Sequence, residues 1–202
     1  MSKIKLFSGM DFSGKSTTIS LINKRLPNVF KSQSKFITPI KTLEIMIDRD
    51  IWLPREKFIP LLIGLVTKDI ANYKDCGPVL QDTLWVIKFV ARLCAEDSDR
   101  YHSEIVHLLQ LIDSYPDVDS FYLTATMEER MKRYNMRVAL GKRISQSDRL
   151  VFSYDIFEKT ETHYRNIILK IFPRTKVIDT TFSSPENIVD NLMKEKIFLK
   201  DL

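Results

Sequence analysis

Gly9-Met10-Asp11-Phe12-Ser13-Gly14-Lys15-Ser16 fits the pattern Gly-x-x-x-x-Gly-Lys-Ser, and its neighbours give it the context such a loop requires. Before it, Lys3-Ile4-Lys5-Leu6-Phe7 has the apolar and β-favouring residues of a short first strand. After it, Ile19, Leu21, Ile22 and Leu26 give Thr17 to Leu26 one apolar helical side, and Pro27 ends the run. Strand, loop and helix in that order predict a phosphate cradle. Gly9 and Gly14 allow the backbone a closeness of approach that a Cβ forbids, so several N–H groups converge on one phosphate. The helix N-terminus adds its partial positive charge, Lys15 reaches the β and γ phosphates, and the Ser16 hydroxyl ligates Mg²⁺.

The 202 residues are 44% hydrophobic, enough for a full core, and the length fits a single domain over residues 1–202 with a mobile insert. Phe58 to Val66 and Leu84 to Cys94 are too short or too interrupted to span a bilayer, and the first residues lack a signal-peptide apolar stretch. Cys76 and Cys94 fit no metal or disulfide framework and read as reduced thiols of a cytoplasmic protein. The net charge of +5 suits either nucleic acid or a cleft that gathers phosphates. Because the basic residues are dispersed and form no long tail, small anionic ligands are favoured, with neither nucleic acid nor a membrane as partner.

Along the chain, Ser32 to Thr38 reads as a second strand centred on Phe36 and Ile37, ending beside the loop. Leu43 to Ile51 and Pro54 to Tyr73 read as helical, with Trp52, Arg55 and Lys68 open either to an acceptor or to surface and packing roles. Gly77 to Thr83 reads as a turn and a buried strand that feeds an amphipathic stretch, Leu84 to Ala95. In a parallel sheet Asp82 then lies at the same edge as the loop, where it can hold Mg²⁺ or accept a proton. Capping the next helix is an equal alternative for Asp82. His102 and His107 lie on an amphipathic helix from His102 to Ser114 without a partner at metal spacing. Ser120 to Ala125 is a fourth strand, and Thr126 with Glu129 forms a capping box. Arg130, Arg133, Arg137, Arg143 and Arg149 follow, with Lys132 and Lys142 among them. Arg130 and Lys132 read as a solvated helix face. Arg143 and Arg149 read as cations on a flap that closes over a transferring phosphoryl group. Asp155 to Phe172 is amphipathic, Lys176 to Asp179 is a fifth strand, and Pro185 opens the last helix. Five strands alternating with helices predict a three-layer α/β fold with a parallel sheet.

The loop, extended through Thr17 and Thr18, resembles that of thymidylate kinases and their deoxynucleoside kinase relatives, which carry an Asp two residues after the first Gly. The resemblance continues through Pro116-Asp117 and the apolar strand after it. It extends to Arg143 with Asp148-Arg149, and to Val177-Ile178-Asp179-Thr180 with Ser184-Pro185-Glu186-Asn187-Ile188. It implies a P-loop kinase fold with a five-stranded parallel sheet and a helical lid inserted at about residues 134–152. It implies ATP and Mg²⁺ as cofactors, with the γ-phosphate passing to a nucleoside monophosphate or deoxynucleoside acceptor. Gly9, Asp11, Ser13, Gly14, Lys15, Ser16 and Thr17 would hold the nucleotide, Thr181 and Phe182 would border adenine, and Ser16 and Asp82 would seat the metal. Asp11 would also face the acceptor. Lys15, Asp82, Arg143 and Arg149 would be the catalytic set, and a homodimer is compatible with the resemblance.

Three positions depart from the family pattern. Phe12 stands for a small Gly, Thr83 for an arginine after the strand-end Asp, and no Arg-Glu-Pro lies near Thr38-Pro39. Thr83 points to a nucleoside or another hydroxyl compound as acceptor. Asp99-Arg100-Tyr101 spells the missing pair but follows a helical stretch, so it reads as coincidence. Two other classes remain open at the level of sequence: a nucleotide-binding module without turnover, and an ATPase acting on a protein partner.

Overall fold

The computed structural model describes residues 4–37, 54–73, 77–115, 118–142, 154–194 and 198. At its centre is β1, Ile4–Ser8, whose residues are buried throughout. The strand pairs on one side with β3, Val79–Leu84, and on the other with β4, Asp119–Thr124. β2, Lys31–Lys35, and β5, Lys176–Asp179, form the two edges, so the order is β2-β3-β1-β4-β5 with every pair parallel. A central strand whose following loop lies between two neighbours sits at the switch point of an open α/β sheet, where ligands bind beyond the carboxyl ends of the strands. The register aligns Phe7 with Asp82 and Ser8 with Tyr122, so the loop after β1 and the ends of β3 and β4 meet at one edge.

Alternating side chains divide the core into two layers. Leu6 and Tyr122 face the helices α2, Arg55–Asn72; α3, Trp85–Asp97; α4, His102–Asp113; and α6, Tyr154–Ile171. Phe7, Phe121 and Leu123 face α1, Lys15–Arg25, and α7, Pro185–Lys194. The remaining helix among the described residues, α5, Met127–Ala139, is mostly polar and rises from the end of β4. The result is the predicted three-layer α/β fold with a parallel five-stranded sheet. Among the described residues no helix is long and apolar enough to cross a membrane.

The second strand differs from its expectation. It runs over Lys31–Lys35 with a polar, largely solvated pattern, and its pairing slips between Ser34 and Lys35. Phe36 and Ile37, expected at its centre, follow its end and are fully buried in the helical layer. An edge strand is held by main-chain bonds to one neighbour and needs no apolar centre, so the apolar pair marks core and not pairing. Thr38, Leu43 to Ile51, Trp52 and Cys76 lie outside the described residues. Arg55 grips Glu96 at 2.8 Å and lies over the Phe89 ring, a packing role, while Lys68 is exposed. Arg100 sits in the turn after α3 and pairs at the surface with Glu56, consistent with a coincidental motif.

One buried carboxylate ties α2 to the segments that follow β2 and α4. Asp69 of α2 is fully buried and accepts from the Ile37 N–H at 3.1 Å and from the Tyr115 hydroxyl at 2.7 Å. Burial, and then the Asp69 charge, push the Tyr115 hydroxyl up, so it remains a donor. Replacing Asp69 by alanine strands both donors in the core. Urea unfolding of Asp69→Ala is expected to show a loss of about 2–4 kcal/mol with an unchanged m-value.

Candidate functional site

The loop from Gly9 to Gly14 turns over the sheet edge under tight steric control. A β-carbon at Gly9, where φ is 138°, would stand 2.2 Å from the Leu123 carbonyl oxygen and 2.8 Å from the Ser13 hydroxyl. Only glycine permits that approach. Gly14 caps α1 in the left-handed conformation, so the first free N–H groups of the helix open toward the loop. Lys15 is folded back into the loop, 8% exposed, and its Nζ donates to the Met10 carbonyl at 2.9 Å. Ser13 is buried, whereas Thr17 faces solvent from the first turn of α1.

Ser16 and Asp82 meet directly, the hydroxyl donating to the carboxylate at 2.5 Å. The alternative of Asp82 as a helix cap fails, because β3 continues to Leu84 and α3 starts at Trp85 without a side-chain cap. Hydroxyl and carboxylate form a hard oxygen pair at the mouth of the phosphate loop, the donor set that Mg²⁺ takes when phosphates and water complete its shell. Among the described residues no group of three or more His, Cys, Asp or Glu side chains that could hold a metal ion exists. A groove of about 540 Å³ opens beside this pair, lined by Ser20, Asn23, Ser32, Gln33 and Ser34 among others.

Asp11 points to the other side, where Lys88 of α3 forms an ion pair with it. Burial alone would raise the Asp11 carboxyl, but Lys88 and Lys15, with Arg130 further off, outweigh it and hold the group below 3.8. Thr83 has the left-handed φ of 65°, its hydroxyl donating to Asp82 at 3.2 Å and its carbonyl accepting from the Gln81 amide. Phe12 is likewise left-handed at 64°, which accounts for a small residue being the easier choice there, and its ring meets Tyr134 edge-on at 5.5 Å. Behind Thr83 the buried Tyr164 hydroxyl faces Ser8 and the Gly9 backbone. Burial pushes it up to about 12.

Arg130 of α5 corrects the sequence reading, and Arg133, which that reading left without a role, adds to it. Arg130, expected on a solvated face, is 1% exposed, gripped at 3.0 and 2.6 Å by both carboxylate oxygens of Glu161 on α6, and stacked over Phe157. Lys132 is on the solvated side as expected. Arg133 donates to the Phe12 carbonyl at 3.0 Å and to the Thr180 carbonyl at 2.6 Å, bolting the loop to the segment after β5. Thr126 caps α5 through the Glu129 N–H, but Glu129 turns to Arg133 and the Thr126 N–H goes to Thr181, so the box is half made. Thr181 is tied to Asp179 at 2.6 Å, and Phe182 is 95% exposed beside it. Arg143 and Arg149 lie outside the described residues, as does most of the expected lid insert. Lys88 and Arg133 went unread in the sequence. For Lys88 a signal existed: a cation at the end of a helix's first turn opposes the macrodipole and so invites a reason.

No protein-family model matches this sequence, and no curated protein matches it. Among solved structures it is similar to thymidylate kinase from Candida albicans, at 16% identity over 98% of this chain and 92% of that one, with a TM-score of 0.59. Deoxyadenosine kinase from M. mycoides with bound dATP matches at 15% identity over 96% and 98%, with a TM-score of 0.63. Thymidylate kinase from Ehrlichia chaffeensis matches at 16% identity over 96% and 97%, with a TM-score of 0.61. The likeness establishes the fold of these nucleotide and nucleoside kinases across nearly the whole chain.

Burial lowers the Lys15 ammonium below 10.5; Asp82 and Asp11 oppose the shift, and Lys88 and Arg130 add to it. Between the lowered value and 10.5 the unfolded chain binds more protons, so stability of the free protein rises with pH across that window. A phosphate brought to the loop would raise the same group, so phosphate binding there would take up a proton and weaken as pH rises. Titration calorimetry in buffers of differing ionisation enthalpy is expected to read this uptake, up to about one proton, and Lys15→Met is expected to abolish it.

Proposed function

We propose that this protein is an ATP-dependent phosphotransferase that passes the γ-phosphoryl group of ATP to a nucleotide or nucleoside acceptor. The observation that carries the reading is the constellation at one sheet edge: a buried Lys15 inside a glycine-forced loop, with Ser16 in direct contact with Asp82. The fold shared with nucleotide and nucleoside kinase structures supports it.

In this reading the backbone N–H groups from Gly9 to Ser16 bind the donor phosphates, and Lys15 turns from the Met10 carbonyl to the β and γ oxygens. Ser16 and Asp82, in direct contact, are the residues that would hold Mg²⁺, and the ion would supply neutralisation of charge on the phosphates. The attacking oxygen lies on the Asp11 and Asp82 side, and a carboxylate there orients it and takes its proton. Arg143 and Arg149, on the lid that the family resemblance implies, close over the transferring group and exclude water. Thr181 and Phe182 border the adenine, the exposed Phe182 ring supplying an apolar face for a base.

The test is ADP release from ATP and Mg²⁺ with common nucleosides and nucleoside monophosphates offered in turn. Release that depends on an acceptor, and that falls at least about 100-fold in Lys15→Ala, is the expected result. Release that ignores every acceptor would make the protein an ATPase, and ATP binding without release would make it a nucleotide-binding module.

A further inference from the structure

Lys88 is the cation that the phosphate loop does not account for. It closes the first turn of α3 within the apolar run Leu84 to Ala91, a placement the helix dipole disfavours. Its ammonium reaches Asp11, and both side chains are only about a quarter exposed, at 24% and 26%. Asp11 is thus paired with Lys88 on the α3 side, and the charge of Lys15 in the loop also acts on it. The neighbouring cations have other work. Lys15 belongs to the loop, and Arg130 is clasped by both oxygens of Glu161. The end of β3 supplies no cation of its own, since Thr83 is neutral and turned to Asp82. An ammonium has three protons to donate, and Asp11 is the only hydrogen-bond partner of Lys88 among the described residues. Two of its protons therefore have no acceptor among the described residues.

We infer that Lys88 binds an anionic group of the acceptor, with Asp11 holding the ammonium in place, so that the acceptor is a phosphorylated compound and not a neutral nucleoside. This rests on the kinase reading above. A monoester phosphate carries about −1.5 to −2 charge near neutrality and three acceptor oxygens, which suits a half-buried ammonium already steadied by one carboxylate. Lys88 is then a specificity-determining residue that touches substrate, and Asp11 is a positioning residue that acts through it.

Steady-state kinetics at saturating ATP and Mg²⁺, comparing nucleosides with their 5′-monophosphates, tests the assignment together with calorimetric titration of the monophosphate alone. Monophosphates are expected to be turned over at least about 100-fold more efficiently than their parent nucleosides. Lys88→Met is expected to raise the KM and the dissociation constant for the monophosphate by about 10- to 100-fold, the size of a charge-assisted hydrogen bond. The KM for ATP should change less than about threefold, thermal melting should confirm the fold, and Lys88→Arg should restore most of the loss. Asp11→Asn reports the alternative in which Lys88 merely orients Asp11. Equal losses in Lys88→Met, Asp11→Asn and the double variant, with monophosphate affinity unchanged, would overturn the inference. A preference for nucleosides would overturn it too while leaving the kinase reading standing. If no acceptor supports turnover, the kinase reading fails, and the calorimetric titration still decides whether Lys88 holds a monophosphate.

Discussion

A backbone that passes 2.2 Å from where a β-carbon at Gly9 would lie leaves no freedom in how the loop leaves β1. The Leu123 carbonyl on β4 is the wall, so the loop must fold over the strand ends instead of running past them. From that turn the rest of the arrangement follows. Gly14 delivers the chain into α1 with its free N–H groups facing inward, Ser16 comes down on Asp82 at the end of β3, and Asp11 is carried out toward α3. Arg133 and Thr180 lock the outer side of the loop to the segment after β5. The site is built by main-chain approach, and the side chains then occupy positions that approach fixes.

Charge is balanced around the loop as tightly as shape. Asp11, Asp82 and Glu161 face Lys15, Lys88 and Arg130, so the free protein tolerates a burial of ions that would be costly if any partner were missing. Two residues pay in backbone strain, of the order of 1–3 kcal/mol each, for positions beside this network. Phe12 and Thr83 both adopt left-handed angles that a bulky or branched residue resists. Each is held by its surroundings: Phe12 by Arg133 and the Tyr134 ring, Thr83 by Gln81 and Asp82. Asn28, in the turn after α1, and Lys35, at the end of β2, adopt left-handed angles as well.

Features that depend on neighbours in sequence were legible before any coordinates. The loop, the helix after it, the buried strand that carries Asp82 and the helix opening at Pro185 all came from local pattern, because glycine, proline and alternation act over a few residues. β2 was misplaced because its pairing is held by main-chain bonds that a polar edge strand does not advertise, while Phe36 and Ile37 signalled core. Arg130 was read as solvated because the 3.6-residue period shows which residues share a face but not that Glu161 and Phe157, on another helix, lie across from it. Arg133 reaches a carbonyl more than a hundred residues earlier in the chain, a contact no spacing rule contains. Lys88 left a trace as a cation against its helix dipole, though its partner did not.

The central claim is that Ser16 and Asp82 trade their hydrogen bond for a metal when a nucleotide occupies the Gly9 to Ser16 loop. A crystal structure with a non-hydrolysable ATP analogue and Mn²⁺, the metal located by its anomalous scattering, tests it most directly. The account predicts the triphosphate on the loop backbone with Lys15 turned to its outer phosphates, and the metal bound by Ser16 with Asp82 coordinating it directly or through water. A nucleotide seated elsewhere, or a metal away from both residues with their mutual hydrogen bond intact, would contradict it.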